Sequence, residues 1–308
     1  MNMGMLGYLP ARKSQIPYYQ NTSLYYKAEN SEWVLYKQPG DSITAERLRT
    51  ETIPRLFIKA EDRLDAALEA QEAFNNLLET SLKSGDVRAI HASLVGITEE
   101  TLSEPRSGTM RYSKRSVALL TKASVRDASI LKQLARLSSQ DYTTALHSVN
   151  VMALTLAFAL RVGFDWRKTL EFGLAALLHD IGKARLPDSV LHSPQPLSDE
   201  EFRTMKMHPM LAVDILERTG MNIPKIRAAA TEHHEKMDGS GYPIGKKDVS
   251  LIGQIIGLLD SYESLTNEAN LRRRPIAPAE AIHLLRKEAN RGCYLPSVLD
   301  RLECTLKV

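Results

Sequence analysis

The segment TEHHEKMDGSGYP, Thr231 to Pro243, sets two adjacent histidines and a glutamate directly before a glycine-rich turn. His233, His234 and Glu235 are all groups that bind metals or carry protons, and the rest of the chain must supply what they work with. Upstream, further histidines stand in order: His147 in DYTTALHSVNV, His179 beside Asp180 in LLHDIGK, and His208 in MKMHPM; downstream, Asp260 lies in IIGLLDSYESL. Successive groups are about 25 to 32 residues apart. That is one helix, a connection and part of the next helix, so a helical bundle can bring each group to a common centre.

Imidazoles mixed with carboxylates suit first-row divalent metals such as iron, manganese, zinc or nickel better than calcium. A carboxylate next to a histidine, as in His179–Asp180, can bridge two ions, and His233 with His234 then forms the paired ligands on one side of a binuclear centre. Taken singly, each residue has an ordinary structural explanation. His147 lies on the apolar stretch HSVNVMALTLAFAL as a core histidine would, Asp180 ahead of Gly182 fits a helix C-cap, and Asp260 fits a polar residue near a helix end. Joint occurrence decides, because burying so many ionisable groups at helix-length intervals is costly unless they bind something. His91, His192 and His283 lack such a context and read as structural.

Composition bounds the rest. The 308 residues are 43% hydrophobic, enough for one large or two modest domains with real cores. The formal net charge is +3 and the pI about 8.7, without the strong basic bias of a protein dedicated to nucleic-acid polymers. Cys293 and Cys304 sit in a charged helical tail and read as free thiols, a pattern suited to a reducing cytoplasm. The longest largely apolar run, Val151 to Leu160, is too short to cross a bilayer, and the N-terminus lacks a signal-peptide layout. A cytoplasmic protein without a membrane span is expected.

The chain changes character along its length. SLYYK, EWVLYK and RLFIK are short aromatic and aliphatic runs separated by ENS, by PGD and by the helical TAERLRTE, which predicts a small α+β module. From Glu61 a helical stripe of Leu64, Ala67, Leu68, Phe74, Leu77 and Leu78 runs to a break at Gly85–Asp86. SEPRSG, Ser103 to Gly108, marks a boundary, and helices of roughly 10 to 20 residues follow it. The expected architecture is mainly α, with a C-terminal helical bundle (residues 103–308) joined by a long helix to a small α+β N-terminal domain (residues 1–102). The N-terminal part has no ligand cluster or phosphate loop and is expected to regulate or to bind a partner.

The ordered series HSVNV, HDIGK, HP, HHEKMDGSGYP and a final aspartate resembles the HD-GYP family, a branch of the HD-domain metal phosphohydrolases whose members hydrolyse cyclic di-GMP. The likeness covers about Leu137 to Leu302, and HHE-x-x-DG-x-GYP is its specific part. It implies an HD-type helical bundle, two or three metal ions with iron foremost, and His147, His179, Asp180, His208, His233, His234 and Asp260 as ligands, Asp180 bridging. Through a metal-bridging hydroxide such a centre would cleave cyclic di-GMP to pGpG and onward to GMP. Lys183, one helical turn after Asp180, would contact a phosphate oxygen and stabilise developing charge. Glu235 is expected to orient ligand histidines. Gly239 and Gly241 are expected to form a tight loop with positive φ that Asp238, Tyr242 and Pro243 help to fix, so that DGSGYP shapes a pocket wall. A signalling protein could dock on this loop or on the N-terminal module.

Three positions depart from the family pattern. Thr143 stands where a glutamate supplies a third metal, which favours two ions. After Asp260 the segment NEANLRRRPIAP carries extra residues, with Ile276 where a tyrosine is expected; Arg274 keeps a possible phosphate contact. Ala212 replaces a glycine, an exchange tolerated if the helices lie slightly farther apart. These departures keep open an alternative, a low-activity metal-bearing signalling or nucleotide-binding protein of the same fold that acts through partners.

Overall fold

The computed structural model describes residues 7–135, 137, 143–191, 193, 195–268 and 274–306. Its N-terminal part is a four-stranded antiparallel sheet in the order β1-β4-β2-β3, built from β1 (Tyr8–Pro10), β2 (Leu24–Lys27), β3 (Trp33–Lys37) and β4 (Leu56–Lys59). Three strands coincide with the aromatic runs. The additional edge strand β1 is too short to show alternation in sequence and exists because Tyr8, Leu9 and Pro10 pair with Lys59, Ile58 and Phe57. Helix α1 (Ala45–Thr50) is capped by Thr44.

Two helices, not one, follow the sheet: α2 (Arg63–Ser84) and α3 (Val87–Ser103). Gly85 ends α2 in the left-handed conformation, φ 73°, and the Asp86 carboxylate caps α3 by accepting from the N–H groups of Arg88 and Ala89. The expected break thus becomes a turn that lays α3 against α2. The anticipated boundary between residues 102 and 103 falls in the last turn of α3.

The remaining helices are α4 (Ser107–Arg126), α5 (Ser129–Leu134), α6 (Thr144–Arg161), α7 (Trp166–Leu178), α8 (Asp188–Leu191), α9 (Asp199–Met205), α10 (His208–Arg218), α11 (Pro224–Glu232), α12 (Leu251–Thr266), α13 (Pro278–Asn290) and α14 (Pro296–Leu306). A 3₁₀ turn, Ile181–Arg185, follows α7. Helices α6 and α12 are apolar on nearly every side and lie at the middle of the bundle, α6 against α3, α7 and α12. Although α6 is long and apolar enough to cross a membrane, 78% of it is buried inside the protein. One apolar core runs from Ile16 and Ile58 through Phe74 and Ile97 to Leu259 and Leu302.

Ala212 is fully buried in α10, and close approach there is provided from the other side: a Cβ on Gly182 would come within 1.9 Å of the His208 carbonyl oxygen. Ile276 packs against the core, its N–H donating to the Leu265 carbonyl. Residues 269–273, with Arg272 and Arg273, and His192 lie outside the described residues.

Candidate metal centre

Five helices deliver the histidines and aspartates to one point. His147 lies in the first turn of α6 and Asp260 in α12, while the others sit at helix ends: His179 and Asp180 after α7, His208 opening α10, His233 and His234 after α11. Helix ends suit this purpose, since the backbone there can turn a side chain inward without breaking an internal ladder. Thr143, at the position of the missing glutamate, caps α6 by accepting from the Leu146 N–H at 3.1 Å.

Asp180 is buried at the middle, with one oxygen turned to each side. Its Oδ2 lies 3.6 Å from His147 Nε2 and 3.4 Å from His179 Nε2; its Oδ1 lies 3.2 Å from His208 Nε2 and 3.7 Å from His233 Nε2. The donor atoms form two groups that share this carboxylate, His147–His179–Asp180 and Asp180–His208–His233–His234. Asp260 closes the arrangement, Oδ1 at 2.8 Å from His147 Nε2 and Oδ2 at 3.8 Å from His234 Nδ1. Lys183 Nζ is 2.5 Å from Asp180 Oδ2, at the rim of the centre.

The protonation pattern leaves this arrangement short of positive charge. Nδ1 of His179, His208 and His233 lies 2.7, 2.8 and 2.9 Å from the carbonyl oxygens of Ala176, Met205 and Ala229. A carbonyl only accepts, so each Nδ1 carries the proton and each Nε2 presents a lone pair inward. The Nε2 atoms of His208 and His233 then face one another at 3.2 Å with no proton between them. His179 Nε2 and Asp180 Oδ1 are buried without a hydrogen-bond partner. Such a set of inward acceptors is costly by itself and fits divalent cations.

Electrostatics follow the same division. Burial opposes charge on Asp180, yet Lys183 and the surrounding imidazoles hold its carboxyl well below the usual range. Burial lowers His233 strongly, and lowers His208 to about 4 and His234 to about 3, which keeps them neutral as ligands must be. His147 differs: burial lowers it, but Glu263 and Asp260 outweigh that and raise it to about 10.

Glu263 is a residue that the sequence pattern did not single out. Its Oε2 is 2.6 Å from His147 Nδ1, and its Oε1 accepts from Asn150 Nδ2 at 2.9 Å, so this buried carboxylate orients the imidazole of α6 from α12. The signal was present as Asp260-x-x-Glu263, one turn apart on an apolar helix. His91, read as structural, approaches Asn150 from α3, although neither His91 Nε2 nor Asn150 Oδ1 has a hydrogen bond of good geometry.

Glu235 corrects an expectation. Its carboxylate accepts from the backbone N–H groups of Ile244 and Lys246 at 2.9 and 2.8 Å, so it holds the glycine-rich loop and does not orient ligand histidines. Gly239 has positive φ, 85°, but Gly241 does not need one. Glycine is required at 241 because a Cβ would lie 2.4 to 2.5 Å from Lys236 N, Glu235 Cα and His234 O. Asp238 accepts from Ser240 and from the Cys293 thiol, tying the loop to the α13–α14 connection. The Tyr242–Pro243 peptide is cis, and the Tyr242 ring stacks on His234 at 4.5 Å. A hollow of about 340 Å³ opens above His233 and His234, walled by Tyr242, Gly241 and Tyr294. Arg274 is exposed in the α12–α13 connection and is not among the residues lining that hollow.

Fold and centre together define an HD-type helical domain, and residues 100–298 match the family model described as HD domain. The chain belongs to the HD-domain family, and its His179–Asp180 pair and Gly241-Tyr242-Pro243 carry the HD-GYP form of it. A cyclic di-GMP phosphodiesterase of Pseudomonas aeruginosa is 29% identical over 241 residues, 72% of this chain and 58% of that protein. One of Thermotoga maritima is 37% identical over 139 residues, 44% of this chain and 36% of that protein. The chain therefore spans about a third to three fifths of these curated relatives. A solved HDG"Y"P protein of Bdellovibrio bacteriovorus superposes with a TM-score of 0.66 at 22% identity, covering 98% of this chain and all of that one, a likeness of fold.

Proposed function

We propose that this chain is a metal-dependent phosphodiesterase that hydrolyses cyclic di-GMP to pGpG and onward to GMP. His147, His179, Asp180, His208, His233, His234 and Asp260 would hold two divalent ions, iron foremost, with Asp180 between them. The observation that carries this proposal is the single buried carboxylate turning one oxygen to each of two histidine groups, with the Nε2 lone pairs of His179, His208 and His233 facing inward. When bound, two such ions lower the pKa of water and neutralise phosphate oxygens.

The chain's own groups do the rest. Backbone carbonyls fix the tautomers of His179, His208 and His233, Glu263 orients His147, and burial keeps His179, His208, His233 and His234 neutral. Lys183, fixed beside Asp180, lies where its ammonium can donate to a phosphate oxygen and stabilise the charge that develops there. Tyr242, stacked on His234, forms the wall against which the nucleotide rests. Residues 1–102 serve regulation or partner binding, and Ile244, 73% exposed immediately after Pro243, offers an apolar contact for a signalling protein on the loop. The protein acts in the cytoplasm.

The packing of Ile276 against the core, where the family pattern has a tyrosine, favours a second reading: a metal-bearing protein of the same fold that binds the nucleotide and acts through partners. Turnover separates the two. Protein purified without chelator and loaded with metal is incubated with cyclic di-GMP, and the products are resolved by chromatography. Appearance of pGpG supports the enzyme; two bound ions without product support the binding protein.

A further inference from the structure

The hollow over His233 and His234 carries two ammonium groups that the centre does not use. Lys206, at the end of α9, has its Nζ 4.8 Å from the ring centre of Phe202 and 5.9 Å from that of Tyr242. Lys236 has its Nζ 2.9 Å from Glu288 Oε1 and 5.9 Å from the ring centre of Tyr294. Both line the hollow, Lys206 on the Phe202–Tyr242 side and Lys236 on the Tyr294 side. An ammonium above an aromatic face is held in place while its N–H groups stay available to an anion. Glu288 already shares Lys236, so Lys206 carries the larger part of the positive charge offered to a ligand.

These lysines are separate from Lys183, which is bound to Asp180 at the rim of the centre. A simple phosphodiester needs the centre and Lys183 alone. Cations farther out, set among three aromatic rings, match a ligand with a second phosphate and bases that stack. Arg274 does not line this hollow, whereas both lysines do.

We propose that Lys206, assisted by Lys236, forms a second phosphate subsite that selects a cyclic dinucleotide over a simple diester. The proposal rests on the phosphodiesterase reading for the chemistry at the centre, and the subsite is judged by dinucleotide affinity, which needs no turnover, and by discrimination between two substrates. In the full-length, metal-loaded protein, affinity for cyclic di-GMP is measured by calorimetry, and kcat/KM is measured for cyclic di-GMP and for bis(4-nitrophenyl) phosphate. Lys206→Gln is expected to weaken dinucleotide binding about tenfold or more, the size of one charge-assisted contact, and to lower the ratio of the two kcat/KM values in step. Lys206→Arg should restore most of both, and Lys236→Gln should act in the same direction but less. Unchanged affinity in Lys206→Gln, an equal loss on both substrates, or no affinity in the unaltered protein overturns the subsite. Tight binding without turnover overturns the phosphodiesterase reading instead, and the subsite then stands or falls on the Lys206→Gln affinity.

Discussion

Among single residues, Asp180 has the most to hold together. Both histidine groups meet on its two oxygens, so Asp180→Ala is expected to abolish binding of both ions at once, seen as a fall from about two ions per chain to none by metal analysis. Loss of only one ion would deny it the bridging position. Glu263→Gln keeps the shape but weakens the hold on His147 Nδ1, and should lower metal affinity about 10- to 100-fold in a competitive chelator titration. The histidines also predict a pH dependence of the metal-free protein. His208 and His234 are lowered to about 4 and about 3, chiefly by burial, against about 6.5 unfolded. Within that interval the unfolded chain binds more protons, so their contribution is lost as pH falls below about 6.5. His147, raised to about 10 as Glu263 and Asp260 outweigh burial, works oppositely, its contribution being full below about 6.5 and lost as pH rises toward about 10. A calorimetric pH series should place the highest Tm near neutrality; a Tm that climbs steadily toward acid would contradict the burial of neutral histidines.

The element that most constrains the centre is the loop from Glu235 to Lys246. Two backbone N–H groups converge on Glu235, Asp238 closes a turn on Ser240, and the Tyr242 N–H donates to the His234 carbonyl at 3.0 Å. Gly241 lies at the tightest point, against backbone atoms that cannot move aside. Gly241→Ala is therefore expected to destabilise the protein by about 1–3 kcal/mol through overpacking and to shift the Tyr242 ring off His234, read by denaturant unfolding and tyrosine NMR. Wild-type stability would show that the loop has slack which the close approach denies. The specific HHEKMDGSGYP pattern made this loop visible in sequence. The reason for its second glycine, a close backbone approach and not a positive φ, became visible only when the chain returned on itself.

Across the whole molecule, the N-terminal part and the bundle share one apolar core. Helix α3 lies between α2 and α6, the helix that carries His147, and reaches Asn150 through His91. A chain beginning near Glu61 keeps α2 and α3 and should retain cooperative unfolding and metal. A chain beginning near Arg106 uncovers the α6 face that α3 packs against and is expected to lose both. Cooperative unfolding with full metal content in the shorter chain would show that α3 belongs to the N-terminal module alone.

The residues that meet at the centre stood out in sequence, because imidazoles and carboxylates together suit first-row divalent metals and helix-length spacing is a local property of the chain. The ligand candidates His147, His179, Asp180, His208, His233, His234 and Asp260 could all be named from it. Strands β2, β3 and β4 and the break at Gly85 were legible for the same reason, aromatic runs and turn residues being local signals. Tertiary structure alone decided what lies between elements distant in the chain. Glu263 reaches His147 across 116 positions, Ile276 packs against the core, and Lys206, at the end of α9, meets Tyr242 of the glycine-rich loop. Each depends on how helices cross, which no local pattern encodes.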